Sequence, residues 1–357
     1  MTAESHLATI KNILLFFMAI VVIVIIKTLS GLLIPLAFAI FTGILLQPII
    51  AFFEKRKWPY TVSITLITIV TIGFIYLIGL IVADTGSQIV SQKTKLLEQV
   101  EAKGSALINQ FDYLPGVDQI EVNSFTDLIN KVATPDFMLN TSGLLAGQLG
   151  NFTWNFILAT IYLVAVLGSI VRYEKYINYL EGDDDVGKKR LLKAFVEVRD
   201  AIVSYMKVKF FTSLCTGICF GLISWAFNID FALFWGFLAF ILNFIPTVGS
   251  ITATIPPILL GFIQIESGST FTFFIILLIA TQFVWGNVIE PLVMGSSVAL
   301  NTVTVIMGLV VWGYIWGVSG MLLSVPLIVL ARVILAQIPD ADMIVKFMGR
   351  SHLKKAD

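Results

Sequence analysis

The sequence predicts an all-α fold: a polytopic membrane helix bundle, with re-entrant or broken helices in its C-terminal half and peripheral amphipathic helices on both sides. Three observations predict it. Of 357 residues, 57% are hydrophobic and 13% charged, about half the charge density of a soluble domain. Charge-free apolar runs recur at 13–26, 28–53, 58–83, 151–171, 210–229, 231–265, 267–289 and 291–331, and most approach or exceed the ~20 residues a helix needs to cross hydrocarbon. Lys and Arg concentrate in alternate connections, as the positive-inside bias requires.

Residues 1–83 read as a three-span membrane region. The first apolar run is longer than the ~7–15 residues of a secretory h-region, and no small-residue cleavage site follows it. It is expected to be a retained helix that turns near "KTLSG". The "EKRKW" connection carries Lys55, Arg56 and Lys57 and is expected on the cytoplasmic side. Residues 84–150 hold four Lys and eight Asp/Glu and are expected to be an extracytoplasmic helical insert. Within it, Ile89, Leu96, Val100, Leu107, Ile108 and Phe111 approximate a helical stripe. "DYLPGVDQ" breaks this stripe, and a weaker helix is expected over 123–133.

Residues 151–171 supply a fourth span. Residues 172–208 read as a cytoplasmic amphipathic helix, with Leu191, Phe195, Val198, Ile202 and Tyr205 on one face and Lys188, Lys189, Lys193 and Arg199 largely off it. The preceding acids Asp183, Asp184 and Asp185 could hold a cation, but as adjacent carboxylates in an exposed turn they read better as solvated, favouring the helix N-terminus. Residues 209–336 form a C-terminal membrane region with two proline-broken segments, and 337–357 a basic cytoplasmic tail.

The C-terminal region contains a coarse repeat. "LNFIPTVGS" (242–250) and "GNVIEPLVMGS" (286–296) each run Asn, Ile, Pro, then Gly-Ser. Proline removes a backbone donor and disfavours helix at its predecessor. A break is therefore expected at each site, with Pro246, Gly249, Pro291 and Gly295 as hinge positions. Inside a bilayer, freed carbonyls need protein, water or ions, and transporters build binding sites from such breaks. A plain turn between two spans is the other reading of either segment. Residues 231–244 and 248–263 are short for crossings and together read as a re-entrant hairpin. The 301–335 run must leave and return, with its turn near "WGYIWGVSG" and Gly317 as hinge.

Glu290 is the sharpest candidate for chemistry. No Lys or Arg occurs from Phe210 to Ala331. A charged carboxylate at membrane depth costs roughly 3 kcal/mol, and such residues usually mark ion or substrate paths. Without a cation, burial would raise its pKa, so that it could load a proton or hold sodium. The alternative is an interfacial carboxylate that caps the next helix. Asn243 and Asn287 offer a donor and an acceptor beside each break, and Thr247 adds a hydroxyl. These three either line a path with Glu290 or bridge helices as buried polar groups. Asp230 reads as a cap at a span end, and Glu266 as a solvated turn residue.

Several classes are excluded. His6 and His352 are terminal, so the chain has no central imidazole base. It has no phosphate-binding loop lysine, and Cys215 and Cys219 match no zinc or redox spacing. No enzyme activity, cofactor or metal is expected. Any energy coupling would use H+ or Na+, and with a formal net charge of zero no nucleic-acid partner is implied.

The stretches "LNFIPTVGSITATIPPILLGF" and "GNVIEPLVMGSSVALNTVTVIMGLVVWGYIWGVSGMLLSVPLIVLARVI" resemble the autoinducer-2 exporter-like family of bacterial and archaeal membrane proteins. The positions that match are Pro246, Gly249, Glu290, Pro291, Gly313, Gly317, Gly320 and Pro326. One departure is Ser250, where the family usually has proline after the glycine. The resemblance implies a plasma-membrane transporter with a small-molecule or ion substrate. Some members are described as exporters of autoinducer-2 and others as sodium/proton antiporters, and homo-oligomers, pentamers among them, are implied. A membrane scaffold using residues 84–150 and 172–208 is the alternative of another class.

Overall fold

A computed structural model of the chain describes residues 3–92, 94–95, 98–100, 102–103, 157–168, 186–294, 300–336 and 341–349. The expected helix at 123–133, the acids at 183–185, hinge position Gly295 and most of the tail lie outside the described residues. Among the described residues the chain is helical and has no strand. It forms an all-α polytopic bundle with five helices long and apolar enough to cross a membrane.

Helices α1 (Ala3–Thr28), α2 (Ser30–Lys55) and α3 (Tyr60–Ser91) follow the first three apolar runs. Their large side chains are widely exposed, among them Phe16, Val70 and Tyr76. Apolar surface of that extent belongs in lipid or against another chain, not in water. Helix α4 (Ile157–Gly168) packs Leu163 and Leu167 with Ala39, Ile50 and Ile67.

Helix α5 (Val186–Ala226) runs without interruption through residues 208 and 209, where the sequence suggests a junction between a peripheral helix and a span. At ~1.5 Å per residue it is about 60 Å long, long enough to cross the bilayer and project beyond it. Its N-terminal half buries Ile202, Tyr205 and Met206 in a core with Phe41, Leu323, Val325, Leu327 and Val329.

Helices α6 (Ala232–Leu242) and α7 (Val248–Gln264) form a hairpin. Its base is closed by two bonds: the Asp230 N–H donates to Gln264 Oε1 at 2.9 Å, and Gln264 Nε2 donates to Asp230 Oδ2 at 2.6 Å. The hairpin therefore enters and leaves at one end of the bundle. Its 11-residue first leg spans only ~16 Å, too short for ~30 Å of hydrocarbon. That leg lies on the backbone of α5: a Cβ on Gly217 would stand 2.6 Å from the Gly236 carbonyl oxygen. The close crossing needs glycine on both helices.

Helix α8 (Gly268–Gln282) widens into a π-helical segment, Phe283–Ile289, and continues as α9 (Glu290–Met294). The sequence suggested a break at Pro291, but the chain stays helical there. The physical reason is the extra residue in the turn. The Glu290 N–H donates to the Trp285 carbonyl, five residues back. This shift of register relieves the clash a proline ring makes with the carbonyl four residues earlier.

Residues Thr302–Ala336 make α10, which reverses at Gly317 (φ 62°, ψ −143°). Its two legs lie antiparallel: a Cβ on Gly308 would overlap Ile328, and one on Gly313 would stand 2.8 Å from Met321. The expected turn in "WGYIWGVSG" is thus present. It rests on the α1–α2 junction, where Trp316 Nε1 donates to the Ile26 carbonyl at 3.1 Å and Lys27 lies 4.0 Å over the Tyr314 ring. Phe244 from the first hairpin tip and Trp312 and Trp316 from the second pack against the same core. A last helix, α11 (Asp342–Met348), docks at the α10 N-terminus through Asn301.

Candidate functional site

The tip of the α6–α7 hairpin is a true break. The Ile245 N–H donates to Leu242, and the Gly249 N–H to Ile245. Between them Thr247 has φ 60°, ψ −57°, and the Val248 N–H donates to the Pro246 carbonyl at 2.6 Å. This is a γ-turn with positive φ, a rare and strained conformation, on a β-branched residue that tolerates it poorly. A Cβ on Gly249 would overlap the Leu242 carbonyl, so only glycine lets α7 start so close to the end of α6.

Asn243, 2% exposed, ties this tip to α5. Its Nδ2 donates to Ser213 Oγ at 3.0 Å, and Ser250 Oγ donates to its Oδ1 at 3.4 Å. One turn before Ser213, Lys209 Nζ donates to both carboxylate oxygens of Glu290, at 2.8 and 2.9 Å. The lysine side chain is 5% exposed and the glutamate 16%. Lys209, Thr212, Ser213 and Thr216 are all buried polar residues, at spacings that put them on one side of a helix. Thr216 donates its hydroxyl to the Thr212 carbonyl. Nearby on α5, the Tyr205 hydroxyl is buried with no hydrogen-bond partner among the described residues.

A cavity of about 530 Å³ opens between α7 and the α8–π–α9 helix. Glu290, Asn243, Asn287 and Thr247, the four residues singled out from sequence, all line it, and so do Pro246 and Lys209. The two repeat segments therefore meet on one cavity, whose charged end holds the Lys209–Glu290 pair. Farther along, Ile251, Ile255, Ile258, Ile279 and Phe283 make its wall apolar. Pro291 lies just past the cavity in α9, Gly249 is buried behind the tip, and Gly317 belongs to the other hairpin.

The partner of Glu290 is a finding the sequence analysis missed. Glu290 was expected to lack a cation because residues 210–331 contain none, but its partner is the residue just before that window. In the sequence Lys209 counts only among the nine basic groups of residues 172–209 that assign this connection to the cytoplasmic side. The polar spacing 209, 212, 213, 216 inside an apolar run was the available signal. Asp230 is a hairpin clasp rather than a helix cap, since it bonds Gln264 across 34 positions. Among the described residues no group of three or more His, Cys, Asp or Glu could hold a metal ion. Chemically, the site offers a neutralised charge pair, amides and hydroxyls on the wall of a cavity within the bundle.

Comparison with known proteins agrees with this architecture. The family model for the AI-2E family transporter matches residues 13–340. A putative transport protein of Haemophilus influenzae is 27% identical over 352 residues, 97% of this chain and 98% of that protein. The AI-2 transport protein TqsA of Escherichia coli K12 is 25% identical over 334 residues, 92% of each. The putative transport protein YueF of Bacillus subtilis is 25% identical over 340 residues, 91% of this chain and 88% of that protein. With a helical membrane bundle and a family match over residues 13–340, the chain belongs to the AI-2E family transporters, which are transporters and not enzymes.

Proposed function

We propose that the chain exports a small polar solute through the cavity between the α6–α7 tip and the π-helical segment, by a gradient-driven or facilitated mechanism. The observation that carries this reading is the convergence of Lys209, Asn243, Thr247, Asn287 and Glu290 on one cavity. Charged and polar residues at membrane depth are retained where they line a path, and broken helices supply such sites in transporters. The name of the TqsA relative makes an autoinducer-2-like solute the first one to test. The reading has the chain in the bacterial cell (inner) membrane with both termini cytoplasmic, which the Lys/Arg bias supports. It has the chain working as a homo-oligomer, a pentamer by family resemblance. The deciding experiment compares small molecules inside and outside cells that express the wild-type chain, Glu290→Gln or no chain. A solute exported only by the wild type supports the reading, and three indistinguishable profiles overturn it.

A second reading, sodium/proton antiport, is favoured by the buried ion pair itself. Glu290 could exchange Lys209 for a proton or Na+, coupling the pair to an ion gradient. Proton movement in proteoliposomes after a sodium jump tests it, and no movement removes it.

A further inference from the structure

We propose that a second cavity, between α3 and the start of α6, seats a membrane phospholipid with an amine headgroup, its ammonium at Asp84 and an acyl chain along Leu77, Leu80 and Ile81. The inference needs only the membrane-spanning fold and goes beyond the transport reading. The cavity measures about 410 Å³ and shares no residue with the one that holds Lys209 and Glu290. Along α3 its lining includes Leu77, Leu80, Ile81, Asp84 and Gln88, the three- and four-residue steps of one helix face. That face is apolar up to Ile81 and polar from Asp84 onward. Asp84 lies about 24 residues past Tyr60, where α3 begins, or ~36 Å along the axis. Hydrocarbon is ~30 Å thick. The change from leucine to carboxylate therefore falls where acyl chains give way to headgroups, at the membrane face opposite the "EKRKW" connection. One groove carries, in order, the two chemistries of a single lipid.

The charge at the headgroup end selects an amine. Asp84 Oδ2 accepts a bond from Gln88 Nε2 at 2.6 Å. Among the described residues Asp84 meets no cation, and no Lys or Arg lines the cavity. A headgroup ammonium can donate to the remaining oxygen as a charge-assisted bond. Phe231 and Phe234 line the same cavity, and aromatic rings attract a cation. Phe231 is held at φ 64°, an uncommon conformation for a bulky residue. It directly follows Asp230, whose carboxylate lies 3.8 Å from Lys95 Nζ. The Lys95 side chain is 59% exposed, so it keeps N–H groups for a phosphate. An acid in the groove and a base beside its aromatic wall match the zwitterion of an amine phospholipid. An anionic headgroup would bring its phosphate toward Asp84 with no ammonium to offset the repulsion. Leu77, Leu80 and Leu233 line the cavity and are exposed, so the groove opens sideways to apolar surroundings. A lipid fits that opening better than a soluble amine.

The test uses the full-length chain in nanodiscs of equal parts phosphatidylethanolamine and phosphatidylglycerol. One lipid at a time carries a photoactivatable acyl chain, and labelled peptides are identified by mass spectrometry. Peptides covering 77–88 and 231–234 are expected to be labelled about threefold more from phosphatidylethanolamine, the scale of an exposed ion pair. Other lipid-facing peptides are expected to show no preference. Asp84→Asn is expected to abolish the preference and Asp84→Glu to keep it. Leu80→Trp, which fills the apolar end and leaves the acid, is expected to lower labelling of these peptides from both lipids. Thermal unfolding of each variant controls for folding. Equal labelling from the two lipids in the wild type, an unchanged preference in Asp84→Asn, or unchanged labelling in Leu80→Trp overturns the proposal. Loss of the preference on adding glycerophosphoethanolamine, the soluble headgroup without acyl chains, assigns the site to a free amine and overturns the lipid as occupant. The transport reading stands or falls separately, by the comparison of small molecules inside and outside cells.

Discussion

Lys209 Nζ lies 2.8 and 2.9 Å from the two carboxylate oxygens of Glu290, joining α5 to the end of the π-helical segment across 81 positions of sequence. A lone charge this far out of solvent would be costly, but the pair is neutral overall and joined by two hydrogen bonds. Removing one partner strands the other, which is worse than removing both. Lys209→Met alone is expected to destabilise the protein by about 3–5 kcal/mol. Lys209→Met/Glu290→Leu is expected to recover most of that loss and still fail to transport. Thermal unfolding in detergent gives the first quantity and cellular export the second. A double variant that transports normally would refute a role for the pair beyond holding two helices together.

The Thr247 backbone is a second place where function and stability pull apart. Its φ of 60° is costly for a β-branched residue and free for glycine. Thr247→Gly is expected to leave stability unchanged or raise it by about 1 kcal/mol, although it deletes a side chain. If the hydroxyl touches solute, export falls in the same variant. Thr247→Val, which keeps both the shape and the strain, separates the two effects. Loss of export in both, with stability gained only in the glycine variant, is the expected pattern.

Asn243 holds the strained turn in place through Ser213 and Ser250. Asn243→Leu is similar in size but leaves the Ser213 hydroxyl facing an apolar group. Such a loss costs about 1–3 kcal/mol at a buried site. Unfolding of Asn243→Leu and of Asn243→Leu/Ser213→Ala gives the check. The double variant is expected to be the more stable of the two, because the orphaned hydroxyl is gone.

Much of this architecture could be read from the chain, because lipid simplifies the code. Runs of apolar residues mark helices, and α1, α2 and α3 fall on the first three such runs. Pro246 and Gly317 announced turns that the structure contains. Pro291 announced one that the structure avoids, because a π-turn is a choice of hydrogen-bond register with no side-chain signature. The candidate cavity was half legible: the repeat around Asn243 and Asn287 named residues from both walls. Lys209 was not read as part of it, because in sequence it ends a basic connection. Only the polar spacing 209, 212, 213, 216 hints at a buried face, and its partner Glu290 is set opposite by the fold.

Gly317 isolates the cost of the second reversal. Its φ of 62° and ψ of −143° lie in a region almost reserved for glycine. A Cβ added there would meet no other atom within 4 Å. Any loss in Gly317→Ala is therefore backbone strain, uncomplicated by crowding. The expected loss is roughly 1–3 kcal/mol. Gly79→Ala is the matched control: Gly79 is also open to a Cβ but lies inside α3, where alanine is favoured over glycine by about 1 kcal/mol. Gly317→Ala should lower the unfolding temperature and Gly79→Ala should hold or raise it. If Gly317→Ala unfolds like the wild type, the chain does not reverse at this residue. The 35 residues of α10 would then run on as one helix, and the close approaches of Gly308 to Ile328 and Gly313 to Met321 could not exist. Cysteines placed at 313 and 321, in a chain with Cys215 and Cys219 replaced by alanine, should cross-link if the reversal is real and stay free if it is not.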